Sequence, residues 1–162
     1  MAKISLILII TLFLAQTLNS TEIYGVPKII DGDTLHINNK KIRIEGIDAP
    51  EIKQQCKKPF LKISAIIGFE FNKNYSCGAI AKKKLIDKID NSKIKCISSS
   101  KDRYKRFLAT CFKDKINLNK WMVRKGNAVA YKRYSKDYVK DEAYAKKNNL
   151  GILELSFIPI FC

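Results

Sequence analysis

Four acidic residues, Asp31, Asp33, Asp48 and Glu51, fall within 21 positions, with Arg43 between the two acidic turns. Carboxylates without histidine or cysteine suit a hard cation, calcium or magnesium. Asp33 and Asp48 can share one ion. Ala49 precedes Pro50, is pushed to an extended conformation, and can turn its carbonyl toward the same ion. Glu51, one water away, can take that water's proton. The planar fork of Arg43 matches a phosphate that gains charge in a transition state. The chemistry suggested is attack by water on a phosphate ester. The same residues also fit a plainer reading, since Asp-Gly-Asp is a common turn and an arginine near acids is often a surface ion pair.

Other chemistries are excluded by what the chain lacks. His36 is the sole histidine, which rules out paired-histidine phosphodiesterases and histidine-rich zinc sites. It sits mid-strand with no triad motif around it. There is no phosphate-binding P-loop, no Gly-rich dinucleotide fingerprint and no C-x-x-C zinc pair.

The elements that must position these residues are mostly short strands. Ile23 to Ile30 reads as a strand, confined to an edge by Pro27. Asp31-Gly32-Asp33 is a turn, after which Leu35 and Ile37 alternate with polar residues. Asn38-Asn39 turns the chain into Ile42 and Ile44, leaving Arg43 and Glu45 on the opposite face. Residues 52–76 read as a long loop, with a short helix around Leu61 to Gly68. Ala81, Leu85, Ile86 and Ile89 fall on one helical face. Ile94 to Ile97 and Phe107 to Phe112 are further strands. Leu118, Trp121 and Met122 form a helix ended by Gly126, and Val139, Ala143 and Leu150 form a last one. Strands, a helix, two strands and two helices predict a mainly β, α+β fold: a five-stranded Greek-key barrel with about three peripheral helices.

The chain has 162 residues, enough for one domain. Its net charge of +16 attracts polyanions. Runs such as Lys82-Lys83-Lys84 are equally well explained as a solvated helix face. Lys3 followed by the apolar run Ile4 to Ala15 reads as a secretory leader over residues 1–20, with the mature domain over 21–162. The alternative is an uncleaved membrane anchor. Of the five cysteines, Cys56, Cys77, Cys96, Cys111 and Cys162, four can form two bridges after export, with Cys162 the odd one. The destination is then the periplasm or the exterior.

Three ordered blocks carry a family likeness. Ile30-Asp31-Gly32-Asp33-Thr34 and Arg43-Ile44-Glu45-Gly46-Ile47-Asp48-Ala49-Pro50-Glu51 resemble the signature of the staphylococcal nuclease (thermonuclease) family. Asp102-Arg103-Tyr104-Lys105-Arg106-Phe107-Leu108-Ala109 resembles its D-[KR]-Y-G-R-x-x-A segment. The likeness continues through Leu118 to Gly126 and Tyr131 to Gly151.

The resemblance implies an OB barrel with three helices and calcium-dependent hydrolysis of DNA or RNA, leaving 3′-phosphate ends. It assigns Asp33 and Asp48 as calcium ligands by carboxylate and Ala49 by its carbonyl. Glu51 becomes the general base, Arg43 and Arg106 bracket the phosphate, and Arg103, Tyr104 and Tyr131 line the nucleotide groove. Among exported members, Cys56–Cys77 and Cys96–Cys111 are the implied bridges, the first flanking the long loop, the second joining two strands. A monomer without a stable protein partner is implied. Lys105 replaces the family's usual glycine, Ile152-Leu153 stands where relatives often have tryptophan, and Ile52 to Ser76 is longer than in short members. The rival readings are a barrel that binds nucleic acid without cutting it, or one used for protein contact.

Overall fold

The computed structural model describes residues 20–63 and 69–152. The strands are β1 (Thr21–Gly25), β2 (Lys28–Ile29), β3 (Thr34–Ile37), β4 (Lys40–Ile44), β5 (Ile47–Asp48), β6 (Cys56–Ile63), β7 (Phe69–Tyr75), β8 (Ile94–Lys101), β9 (Phe107–Lys113), β10 (Ile116–Asn117) and β11 (Val129–Ala130). The helices are α1 (Cys77–Ile89), α2 (Leu118–Arg124) and α3 (Val139–Lys147).

The fold is α+β and OB-like. The main sheet runs β1-β8-β9-β4-β3-β2, with β10 added to β9. β1 and β2 are one strand interrupted at Val26-Pro27, where proline removes a ladder donor. β1 pairs with β8 and β2 with β3, so this interrupted strand joins the two ends of the sheet and curls it. Five principal strands thus form the expected barrel. β4 and β9 run parallel, with Arg43 opposite Leu108. Asn38 and Asn39 both take positive φ, 49° and 62°, in the two-residue hairpin between β3 and β4.

The core follows the strand alternation. Leu35, Ile37, Ile42, Ile44 and Ile94 are buried, together with Leu85 of α1 and Leu118 and Met122 of α2. Two bridges are formed, Cys56–Cys77 and Cys96–Cys111. Cys96 and Cys111 lie directly opposite each other in β8 and β9.

Four expectations are corrected. Residues 52–76 are not mainly loop: β6 and β7 form an antiparallel hairpin with an irregularity between Pro59 and Leu61. Leu61 to Ile63, expected as the start of a short helix, belong to β6; the rest of that expected helix lies outside the described residues. A short apolar run carries no period that separates helix from strand, and cross-strand pairing decides it here. Ile86 is exposed, and the inward face of α1 is Ala81, Leu85 and Ile89. α3 ends at Lys147, so Leu150, expected within it, lies beyond its end, and the inward face of the helix is Asp141, Glu142 and Ala145 rather than Ala143.

Those buried acids in α3 have partners. Arg124 Nη1 pairs with Asp141 at 3.0 Å. Glu142 receives the Ala130 N–H at 3.3 Å and the ammonium groups of Lys132 and Lys146. Burial pushes the Glu142 carboxyl up, but Lys146, Lys132 and that N–H outweigh it and hold it below its ordinary value.

A buried amide ties the barrel to α2. Asn119 accepts from Cys111 N–H at 3.0 Å and donates to the carbonyls of Glu45 (2.9 Å) and Ala109 (3.2 Å). It therefore fixes the end of β4 against β9. Asn119→Ala removes the partner of the Cys111 N–H and of the Glu45 carbonyl, while the Ala109 carbonyl keeps the Glu45 N–H at 2.9 Å, and should cost about 2–4 kcal/mol. Urea unfolding checks this; a loss below about 0.5 kcal/mol contradicts the assigned role.

Candidate active site

Asp31 shapes the loop that delivers Asp33. Its Oδ1 accepts the N–H groups of Asp33 (3.0 Å) and Thr34 (2.6 Å), an Asx-type turn. Asp33 is then carried inward at the start of β3 and is almost fully buried. Asp48 arrives from the other side on β5, whose short pairing with β11 sets its position opposite Val129. Gly46 lets the chain turn between β4 and β5 with φ +74°, and a Cβ there would lie 2.9 Å from the Tyr138 ring.

Arg43 joins the two acids. Its Nη1 meets Asp33 Oδ1 at 2.6 Å and its Nη2 meets Asp48 Oδ1 at 2.9 Å. The second oxygen of Asp33 accepts the Ala49 N–H at 2.9 Å. Asp33, Arg43, Asp48 and Ala49 thus form one connected cluster. One guanidinium serves two carboxylates, so the pair retains an excess negative charge. The titration of Asp33 is shifted as well. Burial is the main cause that raises its pKa from 3.8 to about 7; Arg43 and the Ala49 N–H pull it down, and Asp31 and Asp48 push it up. Burial works against the Arg43 charge, yet Asp33 and Asp48 outweigh it and raise its pKa.

A cleft of about 610 Å³ is lined by Arg43. Arg103, Tyr104, Arg106 and Tyr131 all line it. Arg106 is held by Asp102, Nε to Oδ2 at 2.7 Å, and its N–H donates to Asp102 Oδ1 at 2.9 Å. Burial pushes the Asp102 carboxyl up, but these bonds to Arg106 outweigh it and hold it below its ordinary value. The turn between them survives the replacement of glycine: Lys105 takes φ 63°, with its N–H on the Asp102 carbonyl at 2.9 Å. A left-handed lysine costs about 1–2 kcal/mol.

Three cleft residues carry no site role in the sequence reading: Glu45, though placed on the face of Arg43, and Arg133 and Tyr134. Glu45 follows Arg43 by two positions and so shares its face of the strand, a signal that was available. Tyr134 packs at 4.9 Å from Tyr131, centroid to centroid, in the turn after β11. Tyr104 is 62% exposed and Tyr134 72% exposed, so each ring keeps area that a planar ligand can reach. Guanidinium groups of Arg103 and Arg133 lie 4.7 and 6.0 Å from these two rings.

Glu51 stands apart. It is exposed in the loop after β5 and is not among the residues that line the cleft. Among the described residues there is no group of three or more His, Cys, Asp or Glu side chains placed to hold a metal.

The model of the staphylococcal nuclease homologue family matches residues 41–154. The chain belongs to the staphylococcal nuclease family. The matched stretch takes in Arg43, Asp48, Glu51, Arg106 and Tyr131, while Asp33 lies just before it. Among curated proteins, the chain is 32% identical over 133 residues to "Succinoglycan biosynthesis protein ExoI" of Rhizobium meliloti, covering 80% of this chain. It is 34% identical over 134 residues to "Uncharacterized endonuclease" of Haemophilus influenzae, covering 78% of this chain. The aligned stretch spans 64% of the length of each of these relatives. Membership in this nuclease family accords with an OB-like barrel whose arginines face an open cleft.

The raised pKa of Asp33 has a measurable consequence. A folded-state pKa above the unfolded value gives stability that is full below the unfolded pKa and is lost as pH rises through the folded one. Without added cation, this contribution should decline between pH 3.8 and about 7. Comparing thermal unfolding of wild type and Asp33→Asn across that range isolates it. The substitution should abolish the decline; identical pH profiles for the two proteins contradict the assignment.

Proposed function

We propose that this chain is an exported, calcium-dependent nuclease that hydrolyses phosphodiester bonds in DNA or RNA. The observation that supports it most is the double role of Arg43, which ties together the two acids and also lines the arginine- and tyrosine-rich cleft. A pure binding barrel gains nothing from buried acids beside a polyanion, because they repel it.

The acidic cluster suits a hard cation. Its donors are all oxygens, and its two carboxylates exceed its one guanidinium. Asp33 and Asp48 would hold calcium with the Ala49 carbonyl, water completing the shell. Bound calcium would supply positive charge opposite the phosphate. Arg43 and Arg106 orient the phosphate and stabilise the charge that grows on its oxygens. Glu51 accepts the proton of the attacking water. Attack in line with the P–O5′ bond breaks that bond, so the 5′ oxygen leaves as an alcohol and the phosphate stays on the 3′ oxygen. Arg103, Tyr104 and Tyr131 hold the nucleotide by charge and stacking.

Residues 1–20 act as a leader, and residues 21–162 as the nuclease domain. Residues 1–19 and Cys162 lie outside the described residues. The two bridges accord with an oxidising compartment, periplasmic or external. Among the described residues, no helix is long and apolar enough to cross a membrane. One copy carries every proposed role, so a monomer suffices.

Calcium should raise the unfolding temperature more at pH 8 than at pH 5, because it requires Asp33 ionised. An equal shift at both pH values speaks against Asp33 as a ligand.

Glu51→Gln separates enzyme from binding module. It removes a proton acceptor and one negative charge but keeps the shape. Turnover should fall by a factor on the order of 10² or more, while affinity for an uncleavable oligonucleotide holds or tightens. Arg106→Ala should also depress turnover. Unchanged turnover in Glu51→Gln removes Glu51 from the mechanism.

A further inference from the structure

Glu51 occupies a turn that closes on itself. Gln54 N–H donates to the Glu51 carbonyl at 2.8 Å, and Glu51 N–H donates to Gln54 Oε1 at 3.2 Å. This turn rests directly on the first residues of α1. Gly78 N–H donates to the Gln54 carbonyl at 3.4 Å, and Gln55 Nε2 donates to Ser76 Oγ at 2.9 Å.

The approach is so close that only glycine fits. A Cβ on residue 78 would lie 1.7 Å from the Glu51 carbonyl oxygen. That neighbour is backbone and cannot rotate away, so the Glu51 turn itself would have to move. Covalent geometry enforces the same contact: Cys77, next to Gly78, is bonded to Cys56, two residues beyond Gln54. The two chain segments are therefore clamped on each side of Glu51's turn. The clamp also reaches the acids. Ala81 of α1 and Ala49 both pack where a Cβ on Gly32 would stand, at 3.1 and 2.6 Å.

We propose that the Cys56–Cys77 bridge and Gly78 are positioning elements for Glu51, and that the site is complete only once the bridge has formed. This rests on the catalytic reading of Glu51 above. Bridge formation releases two protons and two electrons from the thiol pair to an exchanging disulfide, which leaves as two thiols. Turnover is then confined to compartments where such disulfides persist, and the chain is held inactive where thiols stay reduced.

The second bridge provides an internal control. Cys96 and Cys111 join strands that their hydrogen-bond ladder already holds in register, and neither lines the cleft. Its loss affects stability and leaves Glu51 in place.

The test uses the full chain in four forms: wild type, Gly78→Ala, Cys56→Ala with Cys77→Ala, and Cys96→Ala with Cys111→Ala. Each is made with and without Glu51→Gln. Turnover, affinity for an uncleavable oligonucleotide and thermal unfolding are measured. Gly78→Ala and the Cys56/Cys77 pair should lose turnover by roughly 10- to 100-fold, the scale expected for a misplaced catalytic group. Affinity should change by less than about threefold, since the cleft is intact. Glu51→Gln should cost much less in these backgrounds than in wild type, because both changes act through one group. The Cys96/Cys111 pair should unfold at lower temperature yet keep wild-type turnover below it. If the Cys56/Cys77 pair does not fold, Gly78→Ala decides. Wild-type turnover in Gly78→Ala, or an undiminished further loss from Glu51→Gln in that background, overturns the proposal. Full turnover of Glu51→Gln in the wild-type background instead removes the catalytic reading of Glu51, and the proposal with it.

Discussion

Two carboxylates share one guanidinium at the edge of this barrel, and the site is organised around that imbalance. Ionising Asp33 inside the protein is costly because burial removes its water. Arg43 and the Ala49 N–H recover part of the cost and leave the rest to be met by another positive charge. A proton can meet that remainder near pH 7, and on the proposed reading a cation does so instead. Arg43 cannot be replaced by lysine on the same terms, because only a fork spans both acids at once.

The barrel makes this cluster possible by bringing three short pieces of chain together. The Asx turn at Asp31 sends Asp33 inward, the parallel pairing of β4 with β9 sets Arg43 beside Leu108, and the β5–β11 pair lifts Asp48 clear of the main sheet. Asn119 locks the end of β4, so the strand that carries Arg43 cannot slide against its neighbour. On the open side, Arg106 is fixed by Asp102 and Tyr131 by its N–H on the Gly46 carbonyl. The arginines therefore face the cleft from rigid supports, which is what electrostatic stabilisation of a charged transition state requires.

Much of this was legible in the sequence because it is local. Asp33, Arg43 and Asp48 sit on a hairpin and its flanking turns, so strand alternation and turn chemistry bring them near one another without knowledge of the rest. The cysteine pairing was legible only through the family resemblance. What escaped depends on distant contacts. Arg133 and Tyr134 join Glu45 at the cleft because β11 returns beside β5, with Val129 opposite Asp48 and Ala130 opposite Ile47, a pairing that no local pattern announces. Asp141 and Glu142 face inward because Arg124 and Lys146 neutralise them there, which no apolar period announces. In the β6–β7 hairpin, β6 carries a proline and no clean alternation, so its type depends on the partner strand, whereas the Phe69-Glu70-Phe71-Asn72 alternation of β7 was a legible strand signal.

The central claim is that the acids and arginines together make a metal-assisted nuclease. The most direct measurement incubates purified protein with single-stranded DNA and with RNA, in calcium and in excess chelator, and follows the cleaved ends. The account predicts hydrolysis of at least one of the two in calcium, ending in 3′-phosphates and abolished by chelator. Binding of both nucleic acids without cleavage of either at any calcium concentration would contradict it.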